Sequence, residues 1–206
     1  MLHLVEHPVA HDILRQLRDA STGPEAFRAL AGRISLLLAV EALAALPTRP
    51  TTVTTPLGPA DGRALAQDVV LVPVLRAGLG MLTGMLQVLP SATVGHIGLQ
   101  RDEETAVASR YYAKLPPGLS DSRVILIDPM LATGGSAVAA LDLLTKAGAR
   151  HLSLVCIVAA PEGVGAVEAA YPHVPIVTPV VDKELNDRKF IVPGLGDFGD
   201  RLYGTL

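Results

Sequence analysis

The sequence predicts an α/β protein: a mostly parallel central sheet with helices on both faces, and a β-arm or hood that protrudes from it. Three observations predict this. The runs DVVLVPVL (68–75), RVILID (123–128) and HLSLVCIVAA (151–160) are apolar almost without a break, as strands covered on both faces are. A helical pattern follows each of them, and such alternation builds parallel sheets. The chain has 206 residues, half of them apolar, which suits one domain, 1–206, with a substantial core.

The elements read in order. ILRQLRDA (13–20) is a short helix. Pro24 opens a long helix that runs toward Leu46, with Thr22 or Gly23 as its cap. Its second half, Ser35 to Leu46, is apolar nearly all round and is expected to be buried on every side. A subunit interface would achieve that, so an oligomer is expected. TTVTTPLG (51–58) reads as an edge strand or hairpin arm. Helical patterns follow at Gly78–Leu89, Ser136–Gly148 and Glu162–Tyr171, and VPIVTPVV (174–181) is a further strand. Two segments fall outside this scheme. Residues 99–118 are polar, charged and then Tyr-bearing, and read as the arm. The tail from Asn186 is rich in Gly and Asp, with no period long enough to form a layer. Loops of this kind carry function more often than core.

Composition excludes several classes. A net charge of −3 with scattered basic residues gives no footprint for nucleic acid. No run has the length of a membrane span. Glu6, Pro8 and Asp12 stand where a signal peptide would need an apolar core, so a cytoplasmic protein is expected. The one cysteine, Cys156, lies within an apolar strand and reads as a buried, inert thiol.

The segment RVILIDPMLATGGSAVAALDLL carries the chemistry. No G-x-x-x-x-G-K-[ST] string occurs, so a Walker loop is absent. Gly194, Gly196 and Gly199 match G-x-G-x-x-G, but Gly199 lies seven residues from the last one and opens no strand–helix unit. The Thr133–Gly134–Gly135–Ser136 loop has the right context instead. It follows a buried strand and opens a helix whose N-terminus offers unpaired N–H groups and a positive dipole end. Two glycines let an anion approach the backbone, and two hydroxyls add donors. Such a cradle needs no lysine if its phosphate is bound but not transferred. Asp128, at the carboxyl end of the strand, stands where open α/β sheets bind ligands. A sugar phosphate fits both features.

An apolar strand, an acid and then PMLATGGS resembles the phosphoribosyl-pyrophosphate (PRPP) loop of type I phosphoribosyltransferases. Proline after the acid resembles the uracil phosphoribosyltransferase branch. VPVLRAGLGM (72–81), RDEET (101–105), VAAPEG (158–163) and PGLGDFGDR (193–201) agree with it, in the family's order. The resemblance implies transfer of the phosphoribosyl group of PRPP to N1 of uracil, giving UMP and pyrophosphate. It implies that Asp128, Pro129, Met130, Leu131, Ala132, Thr133, Gly134, Gly135 and Ser136 bind PRPP. Arg76 and Arg101 would hold the pyrophosphate, and Asp197 would lie near Mg-PRPP. Asp128, Arg101 and Asp197 are the expected catalytic residues. Ile191, Gly196, Asp197 and Phe198, within a base-binding loop at about 188–201, would contact uracil.

By the same resemblance Mg²⁺ arrives with PRPP rather than in a dedicated cage, and residues 99–118 form a mobile hood that excludes water. GTP is a candidate activator, and a homodimer or homotetramer is expected. The family usually has alanine at 198 and tyrosine at 190. A large Phe198 side chain must therefore point away from the base pocket or reshape it, and Phe190 lacks a hydroxyl. Two alternatives stay open: a transferase for another base, and a non-catalytic PRPP-sensing regulator that binds RNA of pyrimidine genes.

Overall fold

The computed structural model describes residues 1–101 and 108–205, with the backbone alone at Arg101, Ala108 and Ser109. The chain opens with β1 (Leu2–Leu4), α1 (Pro8–Arg18) and α2 (Pro24–Leu43). A hairpin of β2 (Thr48–Thr55) and β3 (Gly58–Leu65) follows. Next come β4 (Val69–Leu75), α3 (Leu79–Val88), β5 (Thr93–Val94), β6 (His96–Arg101) and β7 (Ala108–Lys114). Then come β8 (Arg123–Ile127), β9 (Met130–Leu131), α4 (Gly135–Lys146), β10 (His151–Val155), β11 (Val158–Ala159) and α5 (Pro161–Ala170). The chain ends with β12 (Ile176–Thr178), β13 (Glu184–Leu185), β14 (Ile191–Val192) and α6 (Phe198–Tyr203).

The main sheet has the order β1-β12-β10-β8-β4-β6-β7, with β5 also on β4. All its pairings are parallel except β6 with β7. The continuous apolar runs explain themselves here, because successive side chains point to opposite faces. Ile125 and Ile127 of β8 join Leu71 and Val155 under α1, α2, α3 and α6. Val124 and Leu126 join Val70, Val72 and Leu154 under α4 and α5. Helices thus cover both faces, as expected from the sequence.

Local signals set the helix ends. His7 caps α1 by accepting from the Val9 N–H, and Pro8 stands at N1. Of the two candidates, Gly23 is the cap of α2. Gly148, in the left-handed region, stops α4.

Three points differ from the sequence reading or add to it. First, α2 ends at Leu43, short of Leu46, and within this chain its second half is open on the side that the expected subunit interface would cover. Ser35, Leu38 and Ala39 are buried against the core, while Val40 is 51% exposed and Ala44 and Ala45 beyond the helix are exposed. One side packs on α1 and α3; among the described residues no element of the same chain covers the other. Second, the tail does contribute to a layer, because α6 sends Phe198 and Leu202 into the core. Third, β1 adds an edge strand on β12 that no sequence pattern announced.

Candidate active site

The loop after β8 is tied down by backbone bonds. The Pro129 carbonyl accepts from both Ile157 and Val158 (3.0 and 3.1 Å), and the Leu131 carbonyl accepts from Ala160 (2.8 Å). β9 pairs in parallel with β11. Pro129 and Leu131 are therefore scaffold, holding the chain on course for the turn. Gly134 caps α4 at φ 82° and ψ −13°, a conformation that disfavours a side chain. A Cβ there would lie 2.7 Å from that of Ala166. The Gly135 N–H points to the Thr133 hydroxyl at 3.4 Å. The result is a helix N-terminus placed directly after the strand end, a ready anion site. Gly163 supports it from behind. A Cβ at Gly163 would meet the Ala132 and Leu131 carbonyl oxygens at 2.5 and 2.6 Å, so the VAAPEG block seats α5 directly under the turn.

A cleft of about 340 Å³ opens at this end of the sheet, within the roughly 300–1,000 Å³ of small-ligand sites. From the cradle it is lined by Asp128, Met130, Ala132 and Ser136. Arg76 enters from the turn after β4, and Ile191, Gly196, Asp197 and Phe198 enter from the tail. The structure thus brings together residues from three separated sequence blocks. Among the described residues, the lining does not include Pro129, Leu131, Thr133, Gly134 or Gly135, which build the turn that presents it. Arg101 ends β6 at the foot of the β6–β7 arm, and its side chain and residues 102–107 lie outside the described residues. The expected hood therefore falls partly outside them as well.

Arg188, Lys189 and Phe190, within the expected base-binding loop at about 188–201 but given no individual contact there apart from the missing hydroxyl of Phe190, also line the cleft, as does Ala77. Asn186 organises the first three. Its carboxamide oxygen accepts from the Arg188 and Phe190 N–H groups at 3.0 Å each, the side-chain turn that asparagine favours. That Asn in NDRKF was the available signal.

The tail is fixed from a distance. Arg18 makes a bidentate pair with Asp182 at 2.6 and 2.9 Å. Arg18 also donates to the Gly194 carbonyl at 2.8 Å, and Asp182 accepts from the Gly194 N–H at 2.8 Å. Arg201 donates to the carbonyls of Leu17, Asp19 (2.6 Å) and Leu195 (2.8 Å), with its guanidinium 4.5 Å from the Phe27 ring centroid. Burial pulls the Arg201 guanidinium below its ordinary pKa, yet arginine stays charged at any ordinary pH. Asp197 lines the cleft and also caps α6, accepting from the Asp200 N–H at 2.9 Å. Tyr203, in the last turn of α6, donates to the Arg76 carbonyl at 3.2 Å.

Phe198 resolves the question its size raised. Its ring is 1% exposed and meets Phe27 edge-on, with centroids 5.1 Å apart. It points away from the cleft into the core.

A family model described as uracil phosphoribosyltransferase matches residues 4–205. The chain belongs to the uracil phosphoribosyltransferase family. A uracil phosphoribosyltransferase of Dictyoglomus thermophilum is 51% identical over 206 residues, covering all of both chains. The solved AQ2163 protein of Aquifex aeolicus superposes with a TM-score of 0.94 at 39% identity, over 98% of each chain. An adenine phosphoribosyl transferase from Trypanosoma brucei has a TM-score of 0.60 at 16% identity, over 95% of this chain and 88% of its own, and shares the fold alone. No described helix of this family member is long and apolar enough to cross a membrane.

Proposed function

We infer that this phosphoribosyltransferase transfers the 5-phosphoribosyl group of PRPP to N1 of uracil, giving UMP and releasing pyrophosphate. One observation carries the reading. The N-terminus of α4, set by a left-handed Gly134 directly after a buried parallel strand, opens beside the same cleft as Gly196–Phe198. A phosphate end and a base end thereby share one cleft.

The roles follow from the chemistry. The 5-phosphate rests on the amides and hydroxyls from Thr133 to Ser136. N1 of uracil attacks the anomeric carbon as the bond to pyrophosphate breaks, and positive charge develops on the ribose. Asp128 stabilises that charge by about 3 kcal/mol at roughly 5 Å and an effective dielectric of 20. Arg76 and Arg101 take the negative charge that gathers on the departing pyrophosphate. Backbone N–H and C=O groups between Gly196 and Phe198 match the adjacent carbonyl and N–H of uracil. Cytosine reverses that pair and leaves buried groups unpaired, a mismatch worth roughly 10⁴ in discrimination.

Mg²⁺ suits this site as a companion of PRPP. Among the described residues no group of three or more His, Cys, Asp and Glu side chains is arranged to hold an ion. Two carboxylates, Asp128 and Asp197, line the cleft, and Mg²⁺ takes phosphate and water oxygens with one or two carboxylates. When bound it neutralises charge on the leaving diphosphate. A homodimer or homotetramer is consistent with the bare apolar side of α2, and GTP is a candidate activator. Both are read by sedimentation and by assay with and without GTP.

The deciding experiment measures pyrophosphate release from PRPP with uracil, cytosine, orotate and hypoxanthine in parallel. Turnover with uracil alone is expected. Turnover with another base in its place would replace the reading.

A further inference from the structure

Three ionised side chains hold two consecutive residues of the tail by their main chain. Asp182 takes the Gly194 N–H, Arg18 takes the Gly194 carbonyl, and Arg201 takes the Leu195 carbonyl. Gly196, the next residue, lines the cleft. The Arg18–Asp182 pair is the unusual part. The Asp182 side chain is 4% exposed and that of Arg18 is 24% exposed. Arg18 lies at the end of α1, 176 residues before Gly194. A buried ion pair gains little stability over an apolar one, so stability alone is a weak reason for it here. What the pair does provide is direction. The planar guanidinium fork meets both carboxylate oxygens, and one nitrogen of the same fork also holds the Gly194 carbonyl. Asp182 Oδ2 accepts from the Arg18 guanidinium and the Gly194 amide together. Both polar groups of Gly194 are thereby locked to one rigid unit anchored in α1.

We propose that Arg18 and Asp182 are positioning residues for base selection: their ion pair fixes the Gly194–Leu195 main chain so that Gly196 to Phe198 present their backbone groups to uracil in register. The proposal rests on the reading of that loop as the uracil site. Neither side chain lines the cleft, so the pair acts only through the main chain. Its effect should therefore fall first on the base: the phosphate turn has its own supports in β11 and Gly163 of α5, and Asp182 meets β11 only through its own main-chain N–H to the Ala159 carbonyl, which a side-chain substitution leaves in place.

The test is Arg18→Lys, which keeps the charge but loses the fork. The KM for uracil should rise about tenfold or more, because misplacing a positioning group by a fraction of an ångström has effects of that order. The KM for PRPP should rise by a clearly smaller factor, because the turn that takes the 5-phosphate keeps its own supports and only Asp197 is common to the two ends of the cleft. Asp182→Asn should show the same split, and it replaces Arg18→Lys if thermal melting shows that variant unfolded. Arg15→Lys, on the exposed side of α1, should match the parent in both constants. A folded variant whose uracil KM is unchanged, or whose two KM values rise by the same factor, overturns the proposal. Failure of the parent protein to turn over uracil would instead sink the functional reading, so the two failures are distinguishable.

Discussion

The proposed phosphate cradle between Asp128 and Ser136 and the proposed base-reading loop between Pro193 and Phe198 face one cleft but are held in different ways. The cradle is local. Its strand, its left-handed glycine and its helix are contiguous in sequence, and its nearest supports are the backbone of β10–β11 and Gly163 of α5. The reading loop is held from far away, by Arg18 and Asp182 and by the Phe198 ring buried against Phe27. A phosphate asks only for outward amides and a dipole, which one strand–turn–helix supplies. A base must be read by the exact disposition of main-chain groups, and a glycine-rich loop has that only when the rest of the fold imposes it.

Substitutions can break or sharpen this contrast. The largest effect is expected at Phe198. Phe198→Ala should cost about 3–5 kcal/mol of stability in chemical denaturation, as for a large buried aromatic, while uracil remains preferred to cytosine. Loss of that preference without loss of stability would place the ring in the pocket after all.

Asp128→Asn comes next. Removing about 3 kcal/mol of transition-state stabilisation should lower kcat roughly a hundredfold. PRPP binding, followed by calorimetry, should weaken much less; equal loss in both would contradict the electrostatic role of Asp128. Gly163→Ala should cost about 1–3 kcal/mol through overpacking against the Ala132 and Leu131 carbonyls. Its kinetic mark should be a raised KM for PRPP with little change for uracil, the mirror image of Arg18→Lys.

The smallest effect concerns Cys156, which lies in neither loop. Burial pushes its thiol up to about 12 from an ordinary 9.0. Iodoacetamide at pH 8 should leave it unmodified until the protein unfolds. In the unfolded chain the thiol ionises near 9, in the folded chain not until about 12. The unfolded state thus binds fewer protons between those values, and this group's contribution to stability should fall as pH climbs through that window.

What the sequence disclosed follows the same division. The sheet was legible because β4, β8 and β10 are buried on both sides and so are apolar almost throughout, with Arg123, His151 and Ser153 as the exceptions. The cradle was legible because everything it needs lies within a few residues of Asp128. The six residues of α6 are too short for a helical period and begin in a Gly–Asp string, so only the structure reveals that Phe198 and Leu202 are core. Arg18 and Asp182 carry no local mark, because their partnership spans 164 residues. The all-apolar stretch of α2 states that a surface wants cover, and within this chain one side of it stays open, as the subunit-interface reading expects.

The inward Phe198 ring has one further consequence. On the proposed reading, substrate choice at that position rests on main-chain atoms that every residue except proline supplies, while the variable part of the residue faces the interior. Evolution can exchange phenylalanine for alanine there, retuning the hydrophobic contacts behind it, without rewriting which nucleobase is accepted. On that reading an altered side chain at this one position is no sign of an altered substrate.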